Sequence, residues 1–426
     1  MAKEKLKVLW LCNMMPGFVA RSLGKKGSNK EGWIEGCLSM VKTNRDIELA
    51  VAFPTGPDEI IHDKKQGISF FGFVEDTNHP EKYDKNIEAS LGMICEEYMP
   101  DVIHVFGTEF PHALAMLKLN EWKDRVVIHL QGIMDRCAKV YEAGIPNDVF
   151  ERSTFRDVIR HDSIWQQKEK YVKRAENEKK VLLEARNVCG RTAFDKGYME
   201  EINPSCRYFS LNETLRADFY NATWDRNAIN KHALFLSQGN IPLKGAHFVI
   251  EALKLVVKKY PDTMLYIAGD KITAYESFKD KLKISSYGKY LRDLISKNGL
   301  EDNVVFTGSL NTKKMLGVFL ECEVFIMGSV IENSPNSLGE AMILGVPCIA
   351  SNTGGIPSLC QDGEEVLMYD PYNSAELADR IMEYFDNEEL EDRMRLAGRS
   401  RALLTHDSIA NYKMLLWIYE TIAGRV

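Results

Sequence analysis

The sequence predicts an α/β protein built from two doubly wound parallel-sheet domains. Short apolar or β-branched runs alternate with helical patterns from one end of the chain to the other. At 426 residues the chain exceeds what a single core usually fills. A polar passage, residues 212–231, divides the apolar runs into two series and reads as a linker.

The first series holds strands at 8–12, 48–53, 68–73, 102–106, 126–130 and 188–189, and the second at 233–237, 264–268, 304–307, 324–327 and 348–350. The expected domains are therefore 1–212 and 213–406, the linker counted with the second. Residues 409–422 place Met414, Leu415, Trp417, Ile418 and Ile422 on a helical pattern, and the segment 407–426 is expected to pack back on the first domain. Between 155 and 186 runs one long helical pattern, with Val158, Trp165 and Val172 at heptad spacing. Residues 152–186 hold ten basic and six acidic side chains. Two readings of this helix stand open: a solvated helix packed by one stripe, or a surface facing a membrane or an acceptor. Arg21, Lys25, Lys26 and Lys30 form a second basic patch on the loop after the first strand, an end of the sheet that borders the ligand crevice.

A net charge of −7 and a pI near 5.8 exclude nucleic acid as the main partner, because binding a phosphate backbone needs a basic field. Nine cysteines without a C-x-x-C pair predict buried thiols in a reducing compartment, neither disulfides nor structural zinc. The apolar run near the N-terminus is too short for a signal peptide and no run reaches transmembrane length. The expectation is a cytoplasmic protein, held at most on a membrane face.

The chemistry is concentrated in residues 329–351. Glu332 and Glu340 stand eight positions apart across a predicted helix start, signalled by Pro335, Asn336 and Ser337 and flanked by two strands. Free backbone N–H groups at such a start attract anions. Carboxylates accept hydrogen bonds from sugar and ribose hydroxyls, while N–H groups suit a diphosphate, so the pairing points to a nucleotide-sugar. Lys244 follows a strand and a glycine-bearing turn, where a cation can meet a phosphate. The order Gly-x-x-x-x-Lys-Gly is not a Walker loop, and no G-x-G-x-x-G occurs. Gly354-Gly355 reads either as a phosphate approach or as a plain turn. No Asp-x-Asp is present, so the diphosphate is expected to be neutralised by side chains and helix ends, with no metal and no cofactor beyond the donor itself.

Taken together these motifs resemble the retaining glycosyltransferases of family four, of the bacterial cell-surface polysaccharide type, which have the GT-B fold. The resemblance is carried by Lys244-Gly245, the run 305–308, Glu332 and Glu340, Gly345-Val346-Pro347 and Gly354-Gly355, in the family's order. Weaker matches lie at 103–109, Gly32-Trp33 and 190–192. It implies two Rossmann-like domains facing across a cleft. Glu340 would hold the ribose, and Glu332, with Asn333 and Ser334, the donor sugar. The amides of Asn336, Ser337 and Leu338 would receive the distal phosphate, Lys244 would stabilise the leaving diphosphate, and Leu310 would border the base. Front-side attack, with a donor phosphate oxygen taking the acceptor proton, would give retention without a protein nucleophile. The donor base is taken as uridine from family frequency, and the acceptor as a glycan or lipid-linked hydroxyl.

The chain departs from this pattern in several places. Gly239 stands where the family usually has Arg, five residues before the lysine, with Gln238 as a partial substitute and Arg191 or the basic loop as other sources of charge. Gln131 before Gly132 replaces the family's His-Gly, with His129 two residues earlier and His104 a further candidate for the sugar. Ser358 stands where many relatives have Glu. The missing Arg keeps a second reading open, a non-catalytic partner of a transferase. A nucleotide-sugar epimerase is the third.

Overall fold

The computed structural model describes residues 4–25, 32–57, 59 and 61–425, so Lys26 and Lys30 of the basic loop lie outside the described residues. The chain divides into two compact units, Met1–Asp135 with Tyr171–Arg216 and His406–Val426, and Arg136–Lys170 with Ala217–Thr405. The division falls after Arg216 and before His406, where composition put it after 212 and 406. Residues 136–170, expected in the first domain, belong to the second unit. His247, for example, bonds the Ala143 carbonyl through Nε2 at 2.7 Å.

The first unit is an eight-stranded sheet. Its strands are β1 (Leu6–Leu11), β2 (Ile47–Thr55), β3 (His62–Lys65), β4 (Ile68–Val74), β5 (Val102–Phe106), β6 (Val126–His129), β7 (Asn187–Gly190) and β8 (Arg207–Ser210), in the order β3-β4-β2-β1-β5-β6-β7-β8. All pairings are parallel except β3 with β4. β1 is covered on both faces, which is why it reads as a continuous apolar run. Leu9, Leu11, Ile103 and Val105 pack on one side with the helices Asn86–Tyr98 and Pro111–Lys118. Val8, Trp10, Phe106 and Cys189 pack on the other with Gly32–Val41 and the last helix, Ser408–Ile422. That last helix docks through Leu415, Ile418 and Tyr419, while Met414 and Trp417 stay exposed. Trp10 Nε1 donates to the Tyr419 hydroxyl at 2.9 Å, which also bonds His104 Nδ1 at 2.7 Å.

The second unit is a six-stranded parallel sheet of β9 (Ala233–Leu236), β10 (Met264–Ile267), β11 (Val304–Phe306), β12 (Val324–Met327), β13 (Cys348–Ser351) and β14 (Leu367–Tyr369), in the order β11-β10-β9-β12-β13-β14. β9 lies between β10 and β12, so the connections leave it in opposite directions and open a crevice at the carboxyl ends of β9 and β12. No described helix is long and apolar enough to cross a membrane.

β3, β8 and β14 were not expected from the sequence. All three are sheet edges or next to nothing on one side; β3 is the polar run His-Asp-Lys-Lys, and β14 has only three residues. The long helix of 155–186 is two helices, Phe155–Arg160 and Ile164–Glu184. His161 at φ +50° ends the first, and Ser163 Oγ and N–H both bond Gln166 Oε1 at the start of the second. Val158, Trp165 and Val172 are 59%, 36% and 43% exposed, so the heptad stripe is not the packed one. Ile164, Ala175, Glu178, Val181 and Leu182 are buried instead, and the carboxylate among them disguised the packed face.

Candidate functional site

Each loop of the second unit that leaves a strand at the β9/β12 crevice contributes to one constellation. The loop after β9 makes a tight turn, Pro242–Lys244, closed by Gly245 at φ +66°. Gly245 lies so close to the loop after β12 that a Cβ there would stand 1.9 Å from the Gly328 oxygen. Val330 N–H donates to the Leu243 oxygen at 2.9 Å and locks the two loops together. Lys244 Nζ and Glu332 Oε1 form an ion pair, and Ser329 Oγ donates to the same carboxylate oxygen at 2.8 Å. Their side chains remain 26% and 16% exposed, so the pair lines the crevice and is neither core nor bulk surface.

The loop after β13 fixes Glu332 from behind. Gly354, at φ +53°, passes so close that a Cβ would lie 2.0 Å from the Glu332 oxygen, and Gly355 N–H donates to that oxygen at 2.9 Å. Thr353 Oγ1 reaches the Val330 oxygen at 2.9 Å and Ser351 Oγ the Ser329 oxygen at 2.6 Å. The diglycine therefore clamps the backbone of Glu332, and the Gly355 amide is taken up by that bond.

The helix Asn336–Leu344 starts beside Glu332, with Pro335 at its N-cap and no side-chain cap. Its amides are not all open. Leu338 N–H, expected to receive phosphate, donates to the Pro335 oxygen at 3.1 Å, and Gly339 N–H to the same oxygen at 3.4 Å. A helix bends its first carbonyl inward when no side chain caps it, which occupies the third amide. Ser337 N–H makes no hydrogen bond among the described residues. Asn333, Ser334 and Glu340 are 4%, 8% and 6% exposed, and Glu340 lies in the second turn of this helix.

Gly239 has a structural explanation that the sequence does not reveal. A Cβ there would meet Ile267 Cγ2 at 2.5 Å and the Ala246 Cβ at 3.3 Å, so the backbone passes over β10 with no room for a side chain. Gln238, beside it, is exposed on the same loop, and Leu310, half-buried, follows β11. Gly308 and Gly269 form a bridge that ties the β11 and β10 loops.

In the first unit, the residues expected to approach a donor bond mainly to one another. Gln131 Nε2 donates to Glu213 Oε1 at 2.8 Å, Arg191 Nη1 pairs with Glu213 Oε2 at 2.9 Å, and Arg191 Nη2 donates to the Gln131 oxygen at 3.2 Å. The Arg191 and Glu213 side chains are 3% and 1% exposed, so the charge proposed as a replacement for the missing Arg is neutralised within the fold. Gly132 N–H donates to Glu109 Oε1 at 3.0 Å, and Asn13 Nδ2 to Glu109 Oε2 at 3.3 Å, at the carboxyl ends of β1 and β5 where this sheet too reverses direction. Asn13, Glu109, Glu213 and Ser329 are absent from the sequence-predicted set. Glu109 and Ser329 lie in the runs 103–109 and 329–351 without a role assigned to them, and only positions in the loops that follow strands could have marked Asn13 and Glu213.

His104 and His129 are buried in the first unit's core, and burial holds the His104 imidazole down to about 3 and His129 well below its ordinary range. With Cys189 they are the only described His, Cys, Asp or Glu side chains close enough to share a metal ion. They sit within strands, and the Lys244–Glu332 crevice holds no such group among the described residues.

Residues 221–401 match the sequence model of the family described as Glycosyl transferases group 1. Spore coat protein SA of Bacillus subtilis is 27% identical over 42% of this chain and 46% of its own length. The chain spans less than half the length of the first curated relatives it matches. Sucrose-phosphate synthase from Thermosynechococcus elongatus superposes with a TM-score of 0.71 at 14% identity, covering 99% of this chain and 100% of that one. Anabaena HepE, solved in complex with UDP-glucose, gives 0.65 at 17% identity over 98% of this chain and 100% of its own.

Proposed function

We propose that this chain, whose second unit is a group 1 glycosyltransferase domain in a GT-B fold, moves a glycosyl unit from a nucleoside diphosphate donor to a hydroxyl acceptor with retention at the anomeric carbon. The observation that carries the reading is the Lys244–Glu332 pair at the carboxyl ends of β9 and β12. An ammonium and a carboxylate held together there become, when a donor enters, one group for the diphosphate and one for the sugar hydroxyls. Lys244 then stabilises charge on the leaving diphosphate, a preorganised electrostatic role. Glu332 accepts hydrogen bonds from the sugar ring and Glu340 from the ribose. The Ser337 amide, at the positive end of its helix, faces the distal phosphate. No divalent ion is required in this scheme, because Lys244 and the helix end supply the positive field. A donor phosphate oxygen takes the acceptor proton, so no protein nucleophile is needed.

The donor is a UDP-sugar in this reading; a solved neighbour, HepE, holds UDP-glucose. The acceptor is a glycan or lipid-linked hydroxyl of cell-surface polysaccharide or glycolipid synthesis. The test is slow donor hydrolysis across UDP-, GDP- and ADP-sugars, with EDTA present. Release of one nucleotide, lost in Glu332→Gln, is the expected result. Binding without turnover of any donor, even with acceptor extracts, would instead make the protein a non-catalytic partner, and a changed sugar nucleotide without acceptor would make it an epimerase.

A further inference from the structure

In the second unit, the short helices Phe155–Arg160 and Phe278–Lys283 pack against each other, and their outward faces are apolar. Phe155, Val158 and Ile159 lie at positions i, i+3 and i+4 of the first and are 61%, 59% and 63% exposed. Phe278 and Leu282 lie at i and i+4 of the second and are 77% and 39% exposed. Five large side chains on one pair of helices are not the scattered apolar residues of an ordinary surface. The pair is rigidly built. Thr154 Oγ1 donates to the Ile284 oxygen at 2.7 Å, and Asp157 Oδ2 accepts from Ser286 N–H at 2.8 Å.

Charge identifies what covers this face. Residues 154–161 and 277–284 hold five basic and two acidic side chains, in a chain of net charge −7. Both acids are engaged as helix caps, Asp157 accepting from Thr154 N–H and Asp280 from Ser277 N–H, each at 3.0 Å, and Asp157 is fully buried. Arg160, Lys279 and Lys283 are exposed and form no ion pair among the described residues. Exposed apolar side chains on the same two helices as exposed cations that form no ion pair, with the helices' two acids engaged as caps, match the layered chemistry of an anionic bilayer surface, acyl chains below and phosphate headgroups around.

We propose that these two helices dock the protein on anionic lipid, Phe155, Val158, Ile159, Phe278 and Leu282 entering the headgroup boundary and Arg160, Lys279 and Lys283 pairing with lipid phosphates. The inference stands independently of the donor site. Co-sedimentation of the full chain with vesicles of phosphatidylcholine, alone or with one-quarter phosphatidylglycerol, tests it. Binding to the anionic vesicles only, weakening as salt is raised, is expected. Lys279→Glu with Lys283→Glu, and Ile159→Ser with Phe278→Ser, each weaken it roughly tenfold or more. Circular dichroism confirms that the variants fold. Phe278→Trp supplies a reading that needs no loss of binding: its emission shifts to the blue on anionic vesicles. No binding to anionic vesicles, equal binding by both double variants, or no blue shift overturns the proposal. So does self-association in solution that Ile159→Ser with Phe278→Ser abolishes, since a second copy would then cover the face.

Discussion

The two sheets solve the same topological problem and use charge in opposite ways. In each, strands wind outward from a central pair and leave a crevice at their carboxyl ends. In the second unit, that crevice holds Lys244 and Glu332 as a pair still open to solvent. In the first, the cation nearest in role, Arg191, is closed in by Glu213 and Gln131 and almost inaccessible. A charged residue in the right place after a strand is thus not yet a binding residue. Both charges have partners in the fold; what distinguishes them is that the Arg191–Glu213 pair is closed to solvent and the Lys244–Glu332 pair is not.

The largest effect that would break this comparison is on stability. Arg191→Met leaves Glu213 buried without its cation, and removing one partner of a buried pair costs about 3–5 kcal/mol. Thermal or urea unfolding checks it; a change within about 0.5 kcal/mol would mean that Arg191 is not the internal tie described. Lys244→Ala belongs to the other class. Donor turnover falls by roughly 10²- to 10³-fold, as for other preorganised groups facing developing charge, while the melting temperature stays close to that of the parent. Unchanged turnover would move the chemistry away from this crevice.

Gly239→Arg sharpens the comparison from a third side. Restoring the family's cation should not raise activity, because its Cβ collides with Ile267. Overpacking there costs roughly 1–3 kcal/mol, and increased turnover together with unchanged stability would refute the steric account. The smallest effect per step is set by pH. His104 and His406 are buried neutral, held down to about 3 and about 4 chiefly by burial. Each folded value is below the unfolded one near 6.5, so the stability they contribute is full above pH 6.5 and falls as pH drops toward 4, by up to about 1.4 kcal/mol per unit for each residue. Replacing His104 by Phe should flatten the acid limb of a stability–pH curve, and a steeper limb would contradict it.

Much of this was legible before any coordinates. Buried parallel strands announce themselves because both faces are apolar, and helix Asn336–Leu344 announces itself by Pro335 and the residues after it. Glu332, Glu340 and Lys244 stand out in the sequence because their residue types, spacing and flanking strands agree. What was hidden depended on contacts distant in sequence. The polar edge strand β3 exists only through pairing with β4. The break at His161 is a backbone conformation, and the packed face of Ile164–Glu184 carries Glu178, so its periodicity pointed to the wrong stripe. Glu213 lies 82 residues from Gln131 and 22 from Arg191, and no local pattern joins them. The Gly239 position reads as a missing cation until Ile267, on the neighbouring strand, is seen to fill its space.

In the proposed reaction Lys244 and Glu332 exchange each other for a donor. A crystal structure of the chain with a non-hydrolysable UDP-sugar tests it most directly. The expected result is a diphosphate between Lys244 Nζ and the Ser337 amide, with Glu332 turned to the sugar hydroxyls. A nucleotide bound elsewhere, or one bound while the Lys244–Glu332 pair stays closed, would contradict it.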